Sequence, residues 1–128
     1  MMTANKNKIV LAEDNSTLSL LLKFRLEKEG FELFIAKDGK EAITLIEKEI
    51  PDLIITDIMM PFISGLEVIS HVRLKLIKDI PIIVFSAAGQ EEMVLKAFDL
   101  GANDFMGKPF SPNELMIRVK RLLVNAVS

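Results

Sequence analysis

The hydrophobic pattern of this chain changes period repeatedly, from short runs rich in β-branched residues to longer stretches with helical spacing. That alternation restricts the fold more than any other feature, because strands separated by helices run parallel and a parallel sheet needs cover on both faces. Residues 8–13, KIVLAE, read as a buried strand. Residues 15–29 read as a helix capped by Asn15 or Ser16 and stopped by Gly30, with Leu18, Leu21, Leu22 and Leu26 facing inward. Further strands are expected over 31–36, 52–57, 80–86 and 103–108. The intervening helices fall at 40–49, ended before Pro51, then 66–76, 90–101 with Gly101 at its end, and 113–127. With 128 residues, half of them hydrophobic, one domain over 1–128 is expected, with residues 1–7 a polar tail.

Right-handed crossovers confine such a chain to doubly wound topologies, which bind ligands outside the carboxyl ends of their strands. The predicted strand ends are Glu13 and Asp14, Ala36, Asp57, Ser86 and Lys108. All but Ala36 are polar, and they converge on one rim. This places Asp57, otherwise embedded in the apolar run LIITDIMMP, at an edge rather than in the core.

Carboxylates drawn together from the first and third strands raise one another's pKa unless a cation sits among them. An open site of oxygen ligands suits Mg²⁺, so Glu13, Asp14 and Asp57 are its candidate ligands. A carboxylate beside that ion, the Lys108 ammonium and the Ser86 hydroxyl is equipped to accept a phosphoryl group by in-line attack. Composition narrows the alternatives. The chain has 16 basic and 18 acidic residues, giving a net charge of −2, with no footprint for direct nucleic acid binding and no polybasic membrane face. No apolar run approaches the roughly 18 to 20 residues of a spanning helix, no signal peptide is legible, and a cytoplasmic location is expected. The absence of cysteine excludes thiolate chemistry.

Four stretches, LAEDN, LIITDIMMP, VFSAAG and FMGKPF, together resemble the response regulator receiver domain of two-component signalling, and the resemblance covers essentially the whole chain. It implies a flavodoxin-like α/β fold with a doubly wound five-stranded parallel sheet of order 2-1-3-4-5 and five helices. It implies that Asp57 is the phosphoacceptor and that Asp14 ligates Mg²⁺ directly. Glu13 takes the second acidic position and the Met59 backbone carbonyl supplies another ligand. Ser86 and Lys108 are the hydroxyl and lysine that hold phosphoryl oxygens, and the Lys108–Pro109 bond is cis. Phe105 is the aromatic switch residue; lacking a hydroxyl, it must act through ring burial. The implied donor is a sensor histidine kinase or histidine phosphotransfer protein. Its four-helix bundle would dock near Leu20 and Phe24, which share a helix face outside the inward stripe and otherwise read as scattered exposed apolar residues.

The stretch NDFMGKPFSPNELMIR resembles receivers of winged-helix transcription regulators. This implies a homodimer promoted by phosphorylation, bridged by Asp104 and Arg118, although Asn103 replaces an expected Asp. Met59 and Ala88 flank the approach of water to the phosphorus, so a long-lived aspartyl phosphate is expected. His71 reads as a surface residue, and Met59, Met60, Met93, Met106 and Met116 as gap-fillers. The chain is expected to be no enzyme beyond phosphorylating and dephosphorylating itself. A haloacid dehalogenase type phosphatase would need an Asp where Met59 stands, and a flavin or nucleotide binder a phosphate-cradling loop where EDNST presents two carboxylates. Because Ser128 follows the last helix closely, the sequence reads as a stand-alone receiver or one excised from a longer regulator.

Overall fold

The computed structural model describes residues 7–127, with side chains described as far as Val124. Of the expected polar tail only Asn7 falls within these residues, and its carbonyl accepts the Glu32 N–H at 2.9 Å. The strands are β1 (Lys8–Ala12), β2 (Glu32–Ala36), β3 (Leu53–Asp57), β4 (Ile82–Ser86) and β5 (Asp104–Gly107). They form one parallel sheet in the order β2-β1-β3-β4-β5. The helices are α1 (Ser16–Lys28), α2 (Gly39–Glu49), α3 (Gly65–Ser70), α4 (Glu91–Leu100) and α5 (Pro112–Val127). None of the described helices is long and apolar enough to cross a membrane.

Alternation along the central strands sends successive side chains to opposite faces, and each face has its own core. Val10, Ile54, Ile82 and Val84 pack with Ala42, Ile46, Val68, Val94 and Ala97 beneath α2, α3 and α4. Leu11, Ile55, Ile83 and Phe85 pack with Leu22, Leu26, Leu115 and Val119 beneath α1 and α5. Because β3 and β4 are covered on both sides, their residues are all buried and are apolar up to the polar residues at their carboxyl ends.

Two local expectations are corrected. The inward stripe of α1 is Ser19, Leu22 and Leu26, while Leu21 is exposed and Leu18 is half-buried. Ser19 fits the inner face because its hydroxyl donates to the Ser16 carbonyl at 3.1 Å, which satisfies its polar group inside the helix. The single helix expected over 66–76 is instead α3 followed by a π-helical turn, His71–Lys75, in which the Leu76 N–H donates to the His71 carbonyl. Arg73 from that turn reaches the Gly101 carbonyl at 2.9 and 3.1 Å and Asn103 Oδ1 at 3.0 Å, tying it to the end of α4 and the start of β5. Asn103 Oδ1 also accepts the Ile82 N–H.

Helix starts carry their own signals. Asn15 Oδ1 caps α1 by accepting the Leu18 N–H at 3.0 Å, Asp38 caps α2, and Ser64 with Glu67 forms a capping box on α3. Gly65 opens α3 directly against the end of β3. Its N–H donates to the Ile58 carbonyl at 2.7 Å, and a Cβ placed on it would lie 2.1 Å from the Asp57 carbonyl oxygen.

Candidate functional site

The central position of β1 and β3 brings their carboxyl ends side by side, so Glu13 and Asp14 from one meet Asp57 from the other. Each offers a carboxylate oxygen within 4.8 Å of the others. Glu13 and Asp57 are buried, whereas Asp14 is exposed. Lys108, following β5, reaches back across the rim: its Nζ lies 2.7 Å from Glu13 Oε1 and 2.8 Å from Asp57 Oδ1. Lys108 Nζ lies over the Phe85 ring, 5.7 Å from the centroid. The Lys108 N–H donates to the Ser86 carbonyl at 2.7 Å, and Ser86 itself is buried at the end of β4. The Lys108–Pro109 peptide bond is cis.

Charge at this rim is unevenly shared. Burial, reinforced by the neighbouring Glu13, pushes the Asp57 carboxyl up to about 8 against the opposing pull of Lys108. Burial also acts to raise Glu13, but its hydrogen bonds with Asp57, Lys108 and the Asn15 N–H outweigh it and hold this carboxyl below its usual range. Burial acts to lower Lys108, and the two carboxylates more than reverse that. Of the two buried acids, Asp57 is therefore the one that holds its proton to higher pH. Two buried acids and a third at their open side, served by one lysine, leave negative charge uncompensated, which suits a divalent cation.

A cavity of about 150 Å³ lies over Asp57, lined by Asp14, Met59, Phe85, Ala87, Gln90 and Lys108. Met59 is 53% exposed and is therefore a rim residue; Met106 and Met116 are buried gap-fillers, as expected. Sequence reasoning missed two groups here. Thr56 sends its buried hydroxyl to the Asp57 carbonyl at 2.9 Å, and Gln90 Oε1 accepts the Ala87 N–H at 2.7 Å. Neither bond has a sequence signature, since both depend on local backbone direction.

The remaining predicted residues lie away from the carboxylates. Phe105 is 41% exposed, with its ring edge-to-face against Phe98 at 6.0 Å. Both rings line a groove of about 460 Å³ between α4 and β5, which runs from Ser86 and Lys108 past Val94 and Leu95. Leu20 and Phe24 are 61% and 60% exposed on α1, where Lys28 Nζ lies 5.4 Å above the Phe24 ring. His71 pairs with Glu47 at 2.7 Å. Asp104 and Arg118, expected to pair between copies, are joined within one chain at 2.7 Å, with Arg121 and Glu114 extending the network.

Residues 9–120 match the family described as the response regulator receiver domain. The chain belongs to that family. Among curated relatives, the alkaline phosphatase synthesis transcriptional regulatory protein PhoP of Bacillus subtilis is 39% identical over 116 residues, covering 91% of this chain and 48% of PhoP. Among solved structures, the receiver domain of the Francisella response regulator 1452 superposes with a TM-score of 0.85 at 32% identity, covering 94% of this chain and 98% of that one. The signal receiver domain of a signal transduction histidine kinase from Syntrophus aciditrophicus gives 0.84 at 31% identity, covering 93% and 91%. The chain spans about half the length of the curated relatives it matches. Its acidic cluster, Glu13, Asp14 and Asp57, is one that could bind a metal.

Proposed function

We propose that this receiver is a phosphorylation switch in which Asp57 accepts a phosphoryl group from a phosphohistidine. The observation that carries the reading is the seating of one lysine 2.8 Å from Asp57 and 2.7 Å from Glu13, with Asp14 completing the acidic trio. An Asp57 oxygen attacks phosphorus as the phosphorus–nitrogen bond of the donor breaks, the bonding pair leaving with the imidazole, which takes up a proton. Lys108 and the Ser86 hydroxyl hold the oxygens of the transferred group. Glu13, Asp14, Asp57 and the Met59 carbonyl are the residues for Mg²⁺, which when bound lowers the Asp57 pKa and neutralises phosphoryl charge. The chain turns over no other substrate, acts in the cytoplasm and contacts neither DNA nor lipid itself. Leu20 and Phe24 serve docking of the kinase or phosphotransfer protein.

Incubation with acetyl phosphate and Mg²⁺ is expected to add one base-labile phosphoryl group, seen by intact mass. Asp57→Asn, or chelation of the metal, abolishes it. Equal labelling of the Asn variant overturns the assignment.

Phosphorylation also promotes a symmetric dimer through α4, β5 and α5, with the readout passing through burial of Phe105. Because Asp104 and Arg118 already pair within the chain, such a dimer exchanges partners rather than gaining them, and exposed ion pairs contribute only about 0 to 1 kcal/mol each. Weak association before activation is expected, checked by sedimentation with and without beryllofluoride.

A further inference from the structure

Gln90 immediately precedes α4 and makes no side-chain cap on it. Its carboxamide turns back instead, and Oε1 accepts the Ala87 N–H at 2.7 Å, closing the turn between β4 and α4. Both residues line the same 150 Å³ cavity as Asp57, Met59 and Lys108. Ala87 follows Ser86, and β4 lies in register beside the end of β3, with Asp57 opposite Phe85 and the Ile58 N–H bonded to the Phe85 carbonyl. The Ala87 N–H is thus a backbone donor at the rim that receives the phosphoryl group, and it is already occupied.

Resting on the phosphoacceptor reading above, we propose that Gln90 is a positioning residue that competes with the phosphoryl group for the Ala87 N–H. A phosphoryl group on Asp57 presents three anionic oxygens, for which the nearby uncharged donors include the Ser86 hydroxyl and the Ala87 N–H. A charge-assisted bond from an N–H to an anionic oxygen is roughly twice as strong as one to a neutral carboxamide, so the phosphoryl oxygen displaces Gln90 Oε1. Occupancy of Asp57 then breaks the one side-chain bond from Gln90 that ties the start of α4 to the end of β4. On the far side of that loop Glu91 keeps its own bond to the Gly89 N–H at 3.0 Å, so the release is confined to Gln90. The same loop borders the open groove beside Phe105, which gives α4 space into which to shift.

The test is a beryllofluoride titration in Mg²⁺ of wild type, Gln90→Ala, Gln90→Met and Gln90→Glu, with the Ala87 amide followed by nitrogen-15 NMR. Removing a neutral acceptor that the anion must otherwise displace is expected to tighten beryllofluoride binding by about twofold to tenfold in the Ala and Met variants. The Glu variant, with a stronger acceptor, is expected to bind more weakly. Without metal or anion, the Ala87 resonance moves upfield in the Ala and Met variants, which tests the bond independently of binding. Met retains the side-chain length, so a folding defect in the Ala variant leaves the comparison intact. If Ala and Met bind no more tightly than wild type, Gln90 only closes a turn and the proposal is overturned. If wild type binds no beryllofluoride while the Ala87 shifts behave as expected, the phosphoacceptor reading fails first and this inference falls with it.

Discussion

The two ends of the rim are built differently. On one side, β1 and β3 deliver Glu13 and Asp57 from the middle of the sheet, with both faces packed and Lys108 bonded to both acids. On the other side, α4 and β5 leave a groove of about 460 Å³, the Phe105 ring is only partly covered, and the loop between β4 and α4 is held to the end of β4 by the Gln90 carboxamide. Close packing holds atoms at fixed separations, while an underfilled edge offers a second place for a ring or helix to rest. Under the proposed function, this arrangement puts the phosphoryl chemistry in the rigid part and the readout in the part with room to move.

The sharpest contrast comes from deleting one aromatic ring on each side. Phe85 is fully buried, packs against the Phe110 ring at 4.6 Å and lies beneath the Lys108 ammonium. Phe85→Ala is expected to cost about 3 to 5 kcal/mol of unfolding free energy in urea melts. If that loss is no larger than that of Phe105→Ala, the rigid side is not what packing suggests.

Titration gives the next largest effect. Asp57 ionises near 3.8 in an unfolded chain and at about 8 in the folded one. The raised acid therefore contributes full stability below about pH 4 and loses it as pH climbs toward 8. In metal-free protein, Asp57→Asn is expected to be the more stable chain at pH 8, by about 2 kcal/mol, because Lys108 and Glu13 absorb part of the linkage. Thermal melts at pH 4, 6 and 8 check this: the difference should grow with pH, then narrow when Mg²⁺ is added. A difference that shrinks with rising pH reverses the sign and rejects the buried-proton picture.

Met59 lines the cavity over Asp57 and Ala88 the groove beside Phe105, and these are the two positions expected to flank water's approach to a phosphoryl group on Asp57. Neither offers water a strong acceptor. The Met59→Asn, Ala88→Glu double variant is expected to lose its phosphoryl group about tenfold faster after donor removal, a barrier change of about 1.4 kcal/mol. Decay no faster than wild type means that the rim elsewhere governs water. The smallest effect belongs to the open side. Phe105→Ala gives up a half-exposed ring and one edge-to-face pair, for about 1 kcal/mol or less in the same urea melts.

Much of this was legible in the sequence because burial on both faces writes itself as period and composition. Strands β1, β3 and β4 are largely apolar, and polar residues at their carboxyl ends stand out by contrast, which is how Glu13, Asp14, Asp57 and Ser86 could be selected before any coordinates, with Lys108 at the end of the less apolar β5. The parts that were not legible depend on direction rather than identity. The π-helical turn at His71–Lys75 spends one extra residue with no compositional mark. Leu21 and Ser19 exchange the expected inside and outside because a serine can satisfy itself on helix backbone. Gln90 is an ordinary polar residue before a helix until its carboxamide is seen turning back to Ala87.

Gly65 shows how far constraint can lie from chemistry. With the Asp57 carbonyl oxygen 2.1 Å from where its Cβ would be, every other amino acid at this position must push either the first turn of α3 or the peptide of the phosphoacceptor out of place. Such a position carries no charge, no ligand and no catalytic atom, yet the close approach leaves room there for a hydrogen alone. In a library of all single substitutions selected for signalling, residue 65 would tolerate almost none, while the exposed Phe62 three residues earlier would accept many.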